Sequence, residues 1–141
     1  MHRRPLGNGR RLAFIGALAL IVGCLPFFPW YTLGGAGELS PLVYHAADGI
    51  GILALLAGLA TVALVALPYA AGERPVAIDR GIAFGLLAVV ALLGVVLWIP
   101  TILEAPEGLL PDRAYGFWIA AVGAVILARA AYEITLEPPH R

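Results

Sequence analysis

Two charged side chains stand inside an otherwise apolar run toward the end of the chain: Arg129 and Glu133, within the stretch Ala114 to Leu136. Four residues make about one helical turn, so the two share a helix face and can pair with each other. An ionisable residue at membrane depth is a functional hypothesis by default. The pair is therefore a candidate polar membrane contact with another helix, a partner or a lipid phosphate. The plainer role is an ion pair reaching toward the nearer headgroups. A second constellation, Glu38, His45 and Asp48, lies between the first two apolar runs. Carboxylate and imidazole suit divalent cations, and the three residues form a candidate outer-loop site. His45 and Asp48 are three apart, but the spacing specifies no coordination set. Asp48, directly before Gly49, is well suited to cap the helix that follows, so no metal is expected.

The remaining reactive side chains are sparse. Cys24 is the one cysteine, which excludes an internal disulfide and a thiol relay. Ile21-Val22-Gly23-Cys24, after arginines and an apolar core, resembles a bacterial lipobox. The apolar continuation Leu25-Pro26-Phe27-Phe28 instead favours a thiol buried between helices. Of His2, His45 and His140, only His45 lies near an apolar run, so paired haem ligands are not expected. No nucleophile with its base is visible, and the expectation is a chain without catalytic residues or cofactor.

The elements that would position these groups are set by composition. Of 141 residues 61% are hydrophobic and 13% charged, with mean hydropathy +0.91, whereas soluble domains carry about 25% charged residues. Four apolar runs are long enough to cross a bilayer, which takes about 20 helical residues. They cover about 12–33, 49–71, 81–103 and 114–136. Period-two alternation is absent, which favours helices over a barrel. The expected fold is all-α: a bundle of four transmembrane helices, with a basic tail over 1–11, a membrane domain over 12–136 and a short tail over 137–141.

Charge sets the orientation. With the N-terminus inside, eight arginines and four acids fall on the inner side, against Arg113 and five acids on the outer side. By the positive-inside rule both termini are cytoplasmic, and the expected location is a bacterial plasma membrane. All nine basic residues are arginine, which with the Ala, Gly and Pro content suggests a GC-rich bacterial genome. Trp30, Tyr31, Trp98 and Trp118 sit at the outer ends of the runs, where rings of this kind favour the headgroup level. Pro26 and Pro29 are expected to loosen the end of the first helix. Ala54 with Gly58, Gly81 with Gly85, and Ala120 with Ala124 and Ala128 offer close helix contacts. The turn from Gly72 to Gly81 joins the two halves, and part of the loop before Asp48 is expected to form a short interfacial helix.

A shift of 69 residues superposes Arg11 on Arg80, Gly16 on Gly85, Thr32 on Thr101 and Glu38 on Glu107. Small gaps add Trp30 with Trp98, Pro41 with Pro111 and Tyr44 with Tyr115. Two parallel hairpin repeats would explain this and would bring their aromatic outer ends face to face. Pro29-Trp30-Tyr31 after the first helix and Asp48-Gly49 opening the second resemble small four-helix integral membrane proteins of GC-rich bacteria that have no assigned function. That resemblance implies fold and membrane location, not an activity. Abundant small residues and few buried polar groups favour a non-enzymatic packing or assembly subunit over a small homo-oligomeric transporter or channel, and a membrane enzyme ranks last. The expected partners are the lipid bilayer and either a second copy or another membrane protein, with no nucleic acid.

Overall fold

The computed structural model describes residues 7–34, 40–71, 79–100, 107 and 110–137. It is mainly helical, and four helices account for nearly all of the regular structure: α1 (Asn8–Gly23), α2 (Ile52–Ala70), α3 (Arg80–Val96) and α4 (Tyr115–Leu136). Each packs on its neighbours in chain order, and α4 closes the ring on α1, the most extensive of the four pairings. An all-α bundle is thus what forms. Two of the helices, α2 with 19 residues and α4 with 22, are long and apolar enough to cross a membrane, and α3 with 17 is a shorter apolar helix.

The first helix departs from expectation. It ends at Gly23, not near Leu33, because Pro26 and Pro29 lack an amide donor and bias Leu25 and Phe28 away from helical angles. The chain turns back and forms a two-stranded antiparallel ribbon, its first strand lying where the sequence predicts further helix. In it β1 (Tyr31–Leu33) pairs with β2 (Leu42–Tyr44), Tyr31 opposite Tyr44. Gly34, at φ 77°, takes the left-handed conformation that follows β1. The expected interfacial helix is replaced by β2 and a single 3-10 turn, Ala46–Asp48. At the opposite end of the bundle, Asp79 caps α3 by accepting a bond from the Ile82 amide at 3.2 Å. Most of the connecting turn before it, and Glu38 of the outer-loop candidate, lie outside the described residues.

The α1/α4 seam explains why that pairing dominates. Gly9, Gly16 and Gly23 recur every seven residues on α1, and Gly116, Gly123 and Ala130 do so on α4. All six are buried. The register is antiparallel and reciprocal. A Cβ placed on Gly16 would stand 2.9 Å from the Gly123 carbonyl oxygen, and one on Gly123 would stand 2.8 Å from that of Gly16. Gly23 and Gly116 repeat the arrangement at 2.7 and 2.8 Å. A spacing of 3.5 residues per turn keeps one stripe facing a partner helix along its length, and glycine lets the two backbones touch.

Elsewhere the small residues divide. Gly58 faces Ala17 and Leu20 of α1, while Ala54 meets Gly94 of α3, so these two positions of α2 serve different neighbours. Gly81 lies against Thr135, whereas a Cβ on Gly85 would meet open space, so Gly81 and Gly85 do not form a common contact. On α4 Ala120 and Ala124 are buried and Ala128 only partly so. The proposed repeat is not matched at its glycines: Gly16 is locked against α4 while Gly85 is open. Its two tryptophans, Trp30 and Trp98, do meet, edge to face.

Candidate functional site

At the end of the bundle where α1 and α3 finish, one side chain touches the ends of all four helices. Trp30 is fully buried. Its indole N–H donates to the Gly23 carbonyl at 2.8 Å, satisfying an acceptor that the end of α1 leaves free. Its ring stands edge-on to Trp98 just beyond α3, at 5.7 Å, and to Phe117 in the first turn of α4, at 5.5 Å. Gly51, directly before α2, lies beneath it: a Cβ there would come within 2.8 Å of the ring. Gly49 has the same relation to Trp98, at 2.5 Å. The polypeptide around Trp30 is stitched to α4, to the turn before it and to β2. The Gly116 amide donates to the Pro29 carbonyl at 3.0 Å, the Thr32 hydroxyl to the Arg113 carbonyl at 2.8 Å, and the Trp30 amide to the Tyr44 carbonyl at 2.8 Å.

These contacts change the reading of the aromatic residues. Trp30, Tyr31 and Trp98 are buried in protein and not presented outward, and of the four named rings only Trp118 is substantially exposed, at 41%. The physical reason is the early stop of α1, which folds the Pro-Trp-Tyr segment back over the bundle mouth. A tryptophan between two prolines and a run of glycines was the available signal. Recognising it as a central plug required knowing that α3 and α4 bring Trp98 and Phe117 to the same place.

The outer-loop candidate resolves into a local turn. The His45 amide donates to Asp48 Oδ2 at 2.6 Å, and His45 Nδ1 lies 3.4 Å from the same oxygen. Asp48 therefore closes the 3-10 turn and does not cap α2, whose N-cap position is Gly51. The backbone needs its carboxylate one turn earlier than expected. Among the described residues no group of three His, Cys, Asp or Glu side chains converges.

Arg129 and Glu133 pair as the four-residue spacing required, Nε to Oε1 at 3.1 Å. The pair faces outward, with side-chain exposures of 64% and 29%. The guanidinium also lies 5.6 Å from the centroid of the Tyr132 ring, within cation–π range. Inside the bundle the described polar side chain is Thr61, fully buried, whose hydroxyl donates to the Ala57 carbonyl at 2.7 Å. Cys24 is buried where α1 ends.

Comparison of the chain with protein-family models, with curated proteins and with solved structures finds no match.

Proposed function

We propose that the chain is an integral membrane protein of the bacterial plasma membrane, with four membrane-crossing helices and both ends on the cytoplasmic side. Its role is non-enzymatic: it packs as a subunit with itself or with a larger membrane assembly. The observation that carries this reading is the inverted size pattern of the helices. Gly and Ala make up most of the buried helix positions, with Leu20, Phe84, Leu127 and a few other large side chains among them, while Phe14, Ile15 and Leu18 of α1, Leu56 and Leu59 of α2, Leu86, Val89 and Leu93 of α3, and Val122 and Val125 of α4 are exposed. Water would penalise such a surface, at roughly 25 cal/mol for each Å² of apolar area. Lipid accepts it, and in lipid helices associate through close packing of small residues.

The shorter helices are compatible with crossing. At 1.5 Å per residue α1 and α3 run about 24 and 26 Å against a hydrocarbon core of about 30 Å. The Trp30 plug and the ribbon extend the bundle beyond the end of α1. Orientation rests on Arg10, Arg11 and Arg80, which share the end of the bundle where α2 and α4 finish, whereas Arg113 stands at the other end.

The test has two steps. Membranes containing the chain are washed with alkaline carbonate, and the retained protein is then analysed by native mass spectrometry from lipid nanodiscs. Retention with a stoichiometric second protein or a defined homo-oligomer is the expected result. Release by carbonate would refute membrane integration. A retained chain that is monomeric and transports a solute in vesicles would refute the assembly role.

A further inference from the structure

We infer that the outward face of α4 around Arg129 and Tyr132 binds the headgroup phosphate of an anionic phospholipid in the leaflet nearer the C-terminal end of that helix. The inference rests on the membrane reading above.

Three observations converge. First, Arg129 stands seven residues before Leu136, roughly 10 Å by the helical rise, in the half of α4 nearer the bundle end that holds Arg10, Arg11 and Arg80. A long arginine side chain at that depth can reach from hydrocarbon to headgroups.

Second, the guanidinium is only partly used. Glu133 takes Nε, and no other hydrogen bond is made to Arg129 among the described residues. The two Nη groups remain as a planar pair of donors, the geometry that matches two phosphate oxygens. Third, the neighbourhood is held in place. Glu133 fixes the orientation of the fork and the Tyr132 ring supports it. Tyr132 is 56% exposed and brings a phenolic hydroxyl to the same face. The Glu133 carboxylate weakens the local positive field while aiming the donors, so the site selects for a phosphate that can meet both Nη groups.

The assignment separates Arg129 from Glu133, which an intrahelical brace would not. Full-length protein in detergent is titrated with phosphatidylglycerol or phosphatidylcholine and the lipid adducts are read by native mass spectrometry. Arg129→Gln should lower phosphatidylglycerol retention about tenfold, the change for losing one charge-assisted contact. Arg129→Lys, which keeps the charge but not the fork, should fall between. Glu133→Gln breaks the ion pair but leaves the cation and should retain the lipid at least as well as the unaltered chain. Excess inorganic phosphate should not displace the lipid.

Equal losses in Arg129→Gln and Glu133→Gln would overturn the inference, as would displacement by inorganic phosphate or equal retention of phosphatidylcholine. Helicity by circular dichroism is followed for each variant, and an Arg129→Gln chain that keeps both its helicity and its phosphatidylglycerol also overturns it. The two readings fail separately: release of the chain by alkaline carbonate refutes the membrane reading and this one with it. A carbonate-resistant chain with unchanged retention in Arg129→Gln refutes the lipid site alone.

Discussion

At the scale of single residues, Trp30 is the side chain on which most of the bundle end where α1 and α3 finish depends. Replacing it with alanine removes two edge-to-face ring contacts and leaves a cavity among four helix ends, and truncations of this kind cost about 3–5 kcal/mol. Trp30→Phe keeps a ring but leaves the Gly23 carbonyl without its donor, a smaller loss of about 1 kcal/mol. Thermal unfolding in detergent should rank the native chain above Trp30→Phe and that above Trp30→Ala. Equal midpoints would show that the plug contributes little. Gly49→Ala should also destabilise, since the new methyl would enter the Trp98 ring. The Arg129–Glu133 pair was legible at this scale because four-residue spacing on a helix determines contact. The burial of Trp30 was not, because all four helix ends contribute to it.

At the scale of elements, the α1/α4 seam makes the sharpest distinction. Gly23→Ala would place its Cβ 2.6 Å from the Ala120 amide nitrogen, where only backbone can yield. The helices would have to separate, and overpacking of this kind costs about 1–3 kcal/mol. Gly85→Ala meets nothing within 4 Å and should be neutral or stabilising by up to about 1 kcal/mol through helix propensity. Unfolding midpoints of the two variants test this directly. If they move together, glycine is needed for some reason other than close approach. The heptad spacing of Gly9, Gly16 and Gly23 is present in the sequence, as is that of Gly116, Gly123 and Ala130. Which helix each stripe faces is a property of the ring closing on itself, and of no local pattern.

At the scale of the whole molecule, orientation is the property to test. With Cys24 replaced by serine, single cysteines at Glu38 and Asp79 are treated with a membrane-impermeant thiol reagent in intact cells. Glu38→Cys should react and Asp79→Cys should not, because the arginine-rich end holds the α3 N-terminus. The reverse pattern would invert the molecule and move the Arg129 face to the outer leaflet. Arg129→Leu provides a second check on the role proposed for the chain. Loss of assembly with no transport phenotype fits a packing subunit, while loss of transport with assembly intact contradicts it.

The sequence by itself determined the number of helices, the approximate placement of α2, α3 and α4 though not the end of α1, their shared apolar character and the sorting of arginines toward one end. Those properties follow from solvent and hydrogen bonding, which act on each segment separately. It also determined the Arg129–Glu133 contact, which needs nothing beyond one helix. Tertiary structure alone decided that Trp30, Tyr31 and Trp98 lie inside the protein, that Asp48 serves a 3-10 turn and not α2, and that Gly16 is locked while Gly85 is free. Each of those depends on what another segment, distant in the chain, brings to within a few ångströms, and composition and periodicity carry no record of that distance.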